Sequence, residues 1–450
     1  MTDLVKAVRA AMPSVRADLE HLVRIPGVAF DGLDHEPVRR GADEVQRLLT
    51  EAGAAEVAQF RHGDGQPSVF AHFPAPQGRP TVLLYAHQDV QPAGDLSLWD
   101  QDDPFEPVER DGRLYGRGVA DDKAGLMAHI AALRAFGGKP PVGVKLLIEG
   151  EEEFGSPTFE PLLREHREQL AADVVVIADS TNWKTEVPAL TTTLRGVINV
   201  FIEVAVLEAA VHSGLLGGPV PDALTSLSRL VATFHDEHGD VAVEGLATGR
   251  SSEVDYDEAA LRSEAGMLPG VEFIGTGRLT ERLWTKPTAT VLGIDCPGAA
   301  ESANALQPKA RAKVSFRLAP GDSARSALEA VRAHVAAHAP WGAQVSVTPE
   351  GGLGEPSLID ATGPAFDAAR EAFTEAWGGT APVEIGVGGS IPMVATFQEL
   401  YPDAAILVTG VEDQYSNPHG PNESLDLVMF ERVCVAEALL LEKLASRPLG

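Results

Sequence analysis

The sequence predicts an α/β protein whose mostly parallel mixed sheet forms a three-layer domain, with a small α+β sandwich domain inserted into it. Three observations support this prediction. At 450 residues the chain is too long for one ordinary hydrophobic core. Short apolar runs suited to strands buried on both faces alternate with amphipathic helices up to about residue 190. A segment of different pattern follows, and the alternation returns near residue 355.

The first part of the chain contains helices and also strands that end in polar residues. Apolar spacing predicts helices over 4–24 and 36–52. The run 82–86 is entirely apolar and ends in His87 and Asp89. A buried strand presents such residues at its C-terminal end, where open α/β sheets bind ligands. The same pattern recurs in three further runs, which are 144–148 before Glu149–Glu153, 174–178 before Asp179, and 405–409 before the loop that carries His419.

A helix is also predicted between the first two of these strands. The turn at 116–118 contains two glycines and leads to Asp121 and Asp122 at the predicted helix start. Carboxylates at this position can cap the free N–H groups of the first turn.

The middle of the chain has the pattern of a smaller α+β domain. The predicted elements are a strand at 197–206, a helix at 221–238, a strand at 311–318, a helix at 323–338 and a strand at 343–348. A β-α-β-β-α-β layout of this kind suits an inserted sandwich, and the unassigned segment 240–300 is interpreted as its elaboration. Helices at 364–377 and 424–446 follow. The predicted domain boundaries are therefore 1–194 and 354–450 for one domain, and 195–353 for the insert.

Composition and charge exclude several classes of function. The content of 44% hydrophobic and 22% charged residues is typical of a soluble globular protein. No apolar run is long enough to span a bilayer, and the N-terminal residues lack the pattern of a secretory signal. The formal charge of −29 argues against nucleic acid as a partner, because phosphate would be repelled. Two cysteines, Cys296 and Cys434, are too few for a disulfide framework and favour the cytoplasm.

The polar residues that follow the strands suggest a metal site. His87 and His419 supply imidazole nitrogens, while Asp121, Glu153 and Asp179 supply carboxylate oxygens. Mixed N/O ligands suit Zn²⁺ or Mn²⁺ and do not suit a thiolate-rich structural zinc site. If two ions share one carboxylate, each ion has one histidine, one carboxylate of its own and the shared one. Such a pair can hold a water and lower its pKa.

Two neighbouring residues are candidates for supporting roles. Asp89 lies two residues after His87 and could accept its second ring N–H. Glu152 precedes Glu153 and could act as a general base toward the metal-bound water. Each residue also has a structural interpretation, as a hydrogen-bonded histidine, a helix cap or part of a solvated acidic turn. Their convergence on the same edge of one sheet weakens the structural interpretations together, and at this point both interpretations stay open.

A series of short motifs extends through most of the chain. They are H-Q-D-V at 87–90, Y-G-R-G-V-A-D-D-K at 115–123, E-G-E-E-E-F-G-S at 149–156, A-D-S at 178–180, L-R-G at 194–196, H-S-G-L-L-G-G at 212–218, N-A-L-Q-P-K-A at 304–310, F-R-L-A-P at 316–320, G-G-S-I-P at 388–392 and N-P-H-G-P-N-E at 417–423. In this order they resemble the co-catalytic zinc peptidase family, which contains aminoacylases, glutamate carboxypeptidases, desuccinylases and dipeptidases. The motif at 212–218, with L-W-T-K-P-T at 283–288, is most similar to the cytosolic non-specific dipeptidase and carnosinase branch.

The resemblance implies a site for two divalent metal ions, Zn²⁺ or Mn²⁺, in each subunit. Asp121 is implied to bridge the two ions. His87 and Asp179 would complete one site, and Glu153 and His419 the other. The resemblance also implies a cis peptide bond between Asp121 and the residue that follows it.

Further roles are implied for residues that act on the substrate. Glu152 would be the general base, and Asp89 would support His87. His212 would reach the substrate carbonyl from the neighbouring subunit and stabilise the oxyanion. Arg317 would pair with a free substrate carboxylate, a bidentate role that suits arginine. The other implied substrate-binding residues are Gly389, Ser390 and Asn304.

Together these observations predict a cytoplasmic metallopeptidase that hydrolyses dipeptides with a free C-terminal carboxylate, through a metal-bridging water and a glutamate base. The resemblance implies that the insert is a ferredoxin-like lid and dimerisation domain of a homodimer. One alternative is a deacylase or desuccinylase of N-acyl amino acids with the same site, and another is an inactive relative that serves as a binding protein. The sequence departs from the dipeptidase branch at Gly386 and Val387, where an Arg-Glu pair is usual. The preferred substrate side chain therefore stays open.

Overall fold

The computed structural model describes residues 2–249, 254–389 and 392–448 and divides into two compact units. The first unit comprises Met1–Thr192, Asp360–Ile385 and Thr396–Gly450, and the second comprises Thr193–Ile359 and Gly386–Ala395. Within the second unit, the backbone N–H of Arg195 donates to Val387 O at 3.3 Å and its guanidinium donates to Gly388 O at 3.1 Å.

Helices and strands occur throughout the described residues. The helices are α1 (Asp3–Val23), α2 (Glu36–Glu51), α3 (Lys123–Ala135), α4 (Phe159–Glu165), α5 (Arg167–Leu170), α6 (Ser213–Leu216), α7 (Ala223–Ala232), α8 (Glu258–Glu264), α9 (Leu279–Trp284), α10 (Ala324–Ala337), α11 (Pro364–Ala376), α12 (Pro392–Leu400) and α13 (Leu427–Ala445). The strands are β1 (Glu56–Phe60), β2 (Ser68–Phe73), β3 (Thr81–His87), β4 (Val108–Arg110), β5 (Arg113–Tyr115), β6 (Gly143–Glu149), β7 (Val174–Ile177), β8 (Ala189–Leu194), β9 (Gly196–Ala205), β10 (Val211–His212), β11 (Thr288–Asp295), β12 (Ala305–Leu306), β13 (Lys309–Leu318), β14 (Gln344–Gly354), β15 (Ser357–Leu358), β16 (Val383–Val387), β17 (Ala405–Val408) and β18 (Ser424–Asp426). Among the residues described, none of the helices combines the length and the apolar character needed to cross a bilayer.

The large sheet of the first unit has a parallel centre. Its strands lie in the order β1-β2-β6-β3-β7-β17-β8. Strand β3 is parallel to both β6 and β7, and β17 is parallel to β7, whereas β2 is antiparallel to β6. The predicted α/β class with a mixed sheet is confirmed. Because β3, β6 and β7 run in the same direction, the residues that follow them lie at the same edge of the sheet.

The central strands are apolar on both faces because other elements cover them. Val82 to Ala86 in β3 are fully buried. Helix α3 packs against β3, and α1 and α13 pack against α3. The ring of Tyr85 contacts Phe159 of α4 and Phe397 of α12, with centroids 5.6 and 6.0 Å apart. Full burial of each large apolar side chain contributes about 1.5–3 kcal/mol, so this packing holds the strand ends firmly in place.

A buried histidine–glutamate pair connects α3 with α13. His129 Nδ1 lies 2.6 Å from Glu437 Oε1, and Nε2 lies 3.0 Å from the backbone oxygen of Tyr85. The two side chains are 0% and 5% exposed. Burial by itself would lower the pKa of His129, but the Glu437 carboxylate outweighs it and the net pKa is raised. The protonated ring donates a hydrogen bond to each of these two acceptors.

We expect Glu437→Gln to lower the free energy of unfolding by about 3 kcal/mol near pH 6, because it leaves a buried charge uncompensated. The pKa of His129 is raised in the folded state. The pair therefore stabilises the fold fully below the unfolded-state pKa, and this contribution is lost as pH rises through the folded-state pKa. Denaturant unfolding of variant and wild type between about pH 6 and about pH 9 measures the difference. A difference that stays constant over this range would contradict the ion pair.

The second unit is built on an antiparallel sheet. Its four strands lie in the order β11-β13-β9-β14, and α7 and α10 pack on it. Buried and half-buried residues alternate strictly along β9, because only one face of the sheet is covered. The core beneath the helices includes Ile198, Val200, Leu227, Val314, Phe316 and Val331. The chain order is β9-α7-β11-β13-α10-β14, which is the predicted β-α-β-β-α-β layout.

Two elements of this unit differ from the sequence prediction. The helix predicted over 221–238 ends at Ala232, because the chain turns there and forms a bridge between His235 and Val241. Strand β11 lies in the segment 240–300, which was left unassigned. Its residues from Thr290 to Asp295 are all exposed, so no alternating burial pattern marks it as a strand.

Candidate metal centre

The predicted metal ligands come from different segments of the first unit. They are His87 at the end of β3, Asp121 before α3, Glu153 in the 3-10 turn after β6, Asp179 after β7, and His419 in the loop after β17. The parallel strands bring most of them to one edge of the sheet. The peptide bond between Asp121 and Asp122 is cis, as the resemblance implied.

The five side chains form two groups that share Asp121. In the first group, His87 Nε2 lies 3.1 Å from Asp121 Oδ1 and 3.9 Å from Asp179 Oδ1. In the second group, His419 Nε2 lies 3.0 Å from Asp121 Oδ2 and 3.2 Å from Glu153 Oε2. Within each group the ligand atoms all lie within 4.8 Å of one another. The two oxygens of Asp121 therefore face two different histidines.

The electrostatics of the site favour bound cations. Burial raises the pKa of Asp179 well above its ordinary value and that of Glu153 above its own. Hydrogen bonds to Asp121 and Glu153 raise the pKa of His419 to about 10. Buried carboxylates this close together repel one another unless positive charge lies between them. Imidazole nitrogens and carboxylate oxygens are also the donors that zinc and manganese prefer, so these residues fit divalent metal ions.

Glu152 lies beside these ligands and has a perturbed acidity. Burial raises its pKa to about 7, and the negative charges of Glu153, Asp89 and Asp121 act in the same direction, whereas His87 opposes them. A carboxylate with a pKa near neutrality can both accept and release a proton at physiological pH. This is the property that a general base in a hydrolase needs.

Asp89 holds the turn that carries Glu152, which extends its predicted role. The Asp89 carboxylate was expected to accept the second ring N–H of His87. The nearest acceptor to His87 Nδ1 is instead the backbone oxygen of Asp89 at 3.1 Å, with the carboxylate at 3.5 Å. The two carboxylate oxygens accept the backbone N–H groups of Glu152 and Glu153, each at 3.1 Å. Asp89 therefore orients the ring through its backbone and the turn through its side chain.

Sequence reasoning assigned no role to Gln91 and Glu151, which also support this site. Gln91 donates to both oxygens of Glu153, from its backbone N–H at 3.1 Å and from Nε2 at 2.7 Å. Glu151 is buried and accepts three hydrogen bonds from the backbone and side chain of Thr158 and the backbone of Gln66. The motifs at 87–90 and 149–156 pointed to this region, but only the folded partners distinguish Glu151 from a solvated glutamate.

His212 and Asn304 are neighbours in the second unit. His212 is exposed and ends β10, which pairs with β12. Its Nδ1 accepts the backbone N–H of Gly214 at 3.0 Å, so the other ring nitrogen is available to a ligand. The backbone N–H of Ser213 donates to Asn304 O at 3.0 Å. The structure thus places the predicted catalytic residue His212 beside the predicted substrate-binding residue Asn304.

Arg317 lies in β13, also in the second unit, and its charge acts on a second guanidinium, that of Arg195. Burial lowers the pKa of Arg195 to about 10, and the charge of Arg317 contributes to this shift. Arg195 also donates to Gly388 O, next to the predicted residue Gly389. The motif L-R-G was the available signal for Arg195, to which the sequence prediction assigned no function. Ser390 lies outside the described residues.

The mixed α/β fold and the paired His-carboxylate groups define a metal-dependent hydrolase. The family model of peptidase family M20/M25/M40 matches residues 83–446, and the chain belongs to this family. The family and the enzyme class predicted from the sequence, a metallopeptidase, are confirmed.

Curated relatives and solved structures are similar over most of the chain. The cysteinylglycine-S-conjugate dipeptidase of Corynebacterium striatum is 39% identical over 368 residues, which are 80% of each chain. The Cys-Gly metallodipeptidase dug1 of Schizosaccharomyces pombe is 30% identical over 444 residues, or 92% of this chain and 91% of the relative. The structure of human carnosine dipeptidase 1 shares the fold, with a TM-score of 0.80, 24% identity and coverage of 99% and 98% of the two chains. These named relatives are dipeptidases, in agreement with the predicted branch.

Proposed function

We propose that this protein hydrolyses the amide bond of dipeptides with a free C-terminal carboxylate, with two divalent ions, zinc or manganese, bound in each chain. The observation that carries the proposal is Asp121, whose two oxygens lie 3.1 and 3.0 Å from two different histidines. His87 and Asp179 would hold one ion, and Glu153 and His419 the other, with Asp121 shared. The dipeptidase names of the similar proteins support the substrate class.

The chemistry at this site centres on Glu152. When bound, metal ions supply a water of lowered pKa and polarise the scissile carbonyl. Glu152 accepts the proton of the attacking water and passes it to the nitrogen of the leaving amine. The hydrogen bond from its backbone N–H to Asp89 holds the turn in place during these steps.

The test of this function is a substrate panel offered to protein that has been stripped with a chelator and reloaded with Mn²⁺ or Zn²⁺. We expect cleavage of dipeptides that have a free N-terminal amine, including Cys-Gly and β-Ala-His, and no cleavage of their N-acetylated forms. Cleavage of N-acyl amino acids alone would identify a deacylase and refute the dipeptidase proposal. Stable metal binding without any hydrolysis would indicate an inactive relative.

Arg317 is proposed to bind the free carboxylate of the substrate. A charged hydrogen bond of this kind is worth about 1.5–3 kcal/mol, so Arg317→Ala should raise KM for dipeptides by about 10- to 100-fold with a smaller effect on kcat. Steady-state kinetics measure the two parameters separately. Arg311→Ala is the matched control, because Arg311 lies in the same strand but pairs with Asp295 on the surface.

Carboxylate recognition also predicts the behaviour of a modified substrate. A C-terminally amidated dipeptide should be a poor substrate of the wild-type enzyme and should lose little further in Arg317→Ala. Equal losses for the free and the amidated substrate in the variant would contradict the assigned role.

We also propose that the protein is a cytoplasmic homodimer joined through the second unit, with His212 acting on the substrate of the partner chain as an oxyanion donor. The exposed apolar side chains of β11 support an interface there, with Val291, Leu292 and Ile294 exposed by 41%, 54% and 41%. Among the described residues β11 pairs only with β13, so it presents an open edge. Sedimentation equilibrium tests the dimer.

The proposed cytoplasmic location is supported by the cysteines. Both are free, in keeping with a reducing compartment.

A further inference from the structure

We propose that Glu423 is a positioning residue that fixes the positions of two metal ligands, Asp121 and His419, relative to each other. The inference rests on the ligand set proposed above and extends it to a carboxylate that is not itself a ligand. Glu423 is completely buried and follows His419 by four residues. It lies 302 residues after Asp121 in the chain, and it contacts the segment that carries this ligand.

The carboxylate of Glu423 is the acceptor for three backbone N–H groups in one short segment. Its Oε1 accepts from Ala120 at 2.9 Å and from Asp121 at 3.1 Å. Its Oε2 accepts from Gly118 at 2.9 Å. Hydrogen bonds to a carboxylate are stronger than those between neutral groups. The side chain therefore fixes the backbone that leads into Asp121 and sets where its two oxygens lie.

Arg117 ties the same carboxylate to the loop that carries His419. Its Nη1 donates to Glu423 Oε2 at 2.7 Å, and its Nη2 donates to the backbone oxygen of Gly420 at 3.0 Å. Gly420 is the residue directly after His419. The backbone oxygen of Glu423 also accepts the N–H of Gly116 at 3.0 Å. Arg117 belongs to the segment before α3, and its two terminal nitrogens bond two different residues of the loop after β17. The two segments are therefore joined through this side chain.

The His419 loop depends on such contacts for its shape. His419 and Asn422 have positive φ values of 60° and 59°, a left-handed conformation that residues other than glycine rarely adopt. The His419 side chain is 59% exposed, so packing around the ring contributes little to its position. The backbone on either side of His419 therefore has to be held by other contacts. Arg117 and Glu423 supply them, and their side chains are buried, with exposures of 2% and 0%.

This arrangement predicts unequal effects on the two metal sites. The site of Asp121, Glu153 and His419 contains two ligands that depend on Glu423. The site of Asp121, His87 and Asp179 contains one. Loss of the Glu423 carboxylate should therefore weaken binding of one ion more than binding of the other.

The test is Glu423→Gln, which keeps the size of the side chain but turns an N–H₂ group toward N–H donors. Mn²⁺ titration of the metal-free protein, in competition with a chromophoric chelator, gives the two dissociation constants. We expect one of them to rise by about 10- to 100-fold, the usual effect of losing a group that orients a ligand, and the other to rise less. Arg117→Lys keeps the charge but replaces the planar fork, whose two nitrogens bond Glu423 and Gly420 separately, with a single nitrogen, so it should show the same selectivity with a smaller loss.

Glu437→Gln is the matched control, because it makes the same change in another buried glutamate of this unit, one that pairs with His129. It should destabilise the fold without selectivity between the two ions. Unchanged dissociation constants in both Glu423→Gln and Arg117→Lys would overturn the inference, and so would an equal loss at both sites of the kind seen in Glu437→Gln. If the wild type itself binds fewer than two ions, the ligand set fails, and this outcome is distinguishable because it needs no variant.

Discussion

Replacing Asp121 with asparagine should abolish binding of both metal ions and reduce hydrolysis by at least about 10³-fold. The two oxygens of Asp121 lie beside His87 and His419, and asparagine can offer an oxygen to only one of them. The substitution also removes a negative charge that both ions need. Several kcal/mol of transition-state stabilisation depend on the bound ions, which corresponds to the expected loss of rate. Metal content after gel filtration and kcat/KM for a dipeptide measure the two effects.

Asp179→Asn is the comparison that makes this result specific. Asp179 lies in only one of the two groups, so its loss should leave the other ion bound. We therefore expect about two, one and no ions per chain for wild type, Asp179→Asn and Asp121→Asn. Retention of both ions in Asp121→Asn would show that Asp121 does not bridge the two sites.

The second large effect is expected for Glu152→Gln, which should lower kcat by about 10²- to 10⁴-fold while both ions stay bound. Glutamine has nearly the same shape as glutamate but cannot accept the proton of the attacking water. The backbone N–H of residue 152 still donates to Asp89, so the turn and the neighbouring ligand Glu153 should keep their places. Pre-steady-state and steady-state rates with a dipeptide, together with metal content, test the prediction.

An appropriate control is Glu160→Gln, an exposed glutamate that pairs with Arg164 on the surface of α4. It should change neither kcat nor metal content. Turnover close to wild type in Glu152→Gln would exclude this residue as the general base. Loss of metal in the same variant would instead assign it to the ligand set.

Much of the fold was predictable because its signals are local. The run 82–86 is apolar without interruption, and in the structure it is a strand buried on both faces. Strand β9 was predicted as a long strand although its sequence alternates less cleanly, and the strict alternation of burial along it appears only in the structure. Strand β11 was not predicted, because Val291, Leu292 and Ile294 are exposed and give no period. The helix at α7 was predicted too long, since the turn after Ala232 depends on contacts with residues farther along the chain.

The site shows the same division between local and distant signals. The candidate ligands were predictable from residue type and position, because each follows a strand or begins a helix. The contacts of the Asp89 carboxylate and of the Arg195 guanidinium were not, because each depends on which backbone group the folded chain brings to a side chain. The Asp89 carboxylate bonds the turn 63 and 64 residues away, and no spacing in the sequence marks these partners.

The sequence by itself determined the α/β class, the family, and the residues that can supply nitrogen and oxygen ligands, since these follow from local patterns and motifs. Only the tertiary structure decided that the two oxygens of Asp121 face different histidines. It also decided that the Glu423 carboxylate accepts backbone N–H groups from the segment that leads into Asp121. The physical reason is that a hydrogen bond depends on the direction of one N–H group and the rotamer of one side chain. For Glu423 and Asp121 these two groups are 302 residues apart, and only the folded chain brings them to 3.1 Å.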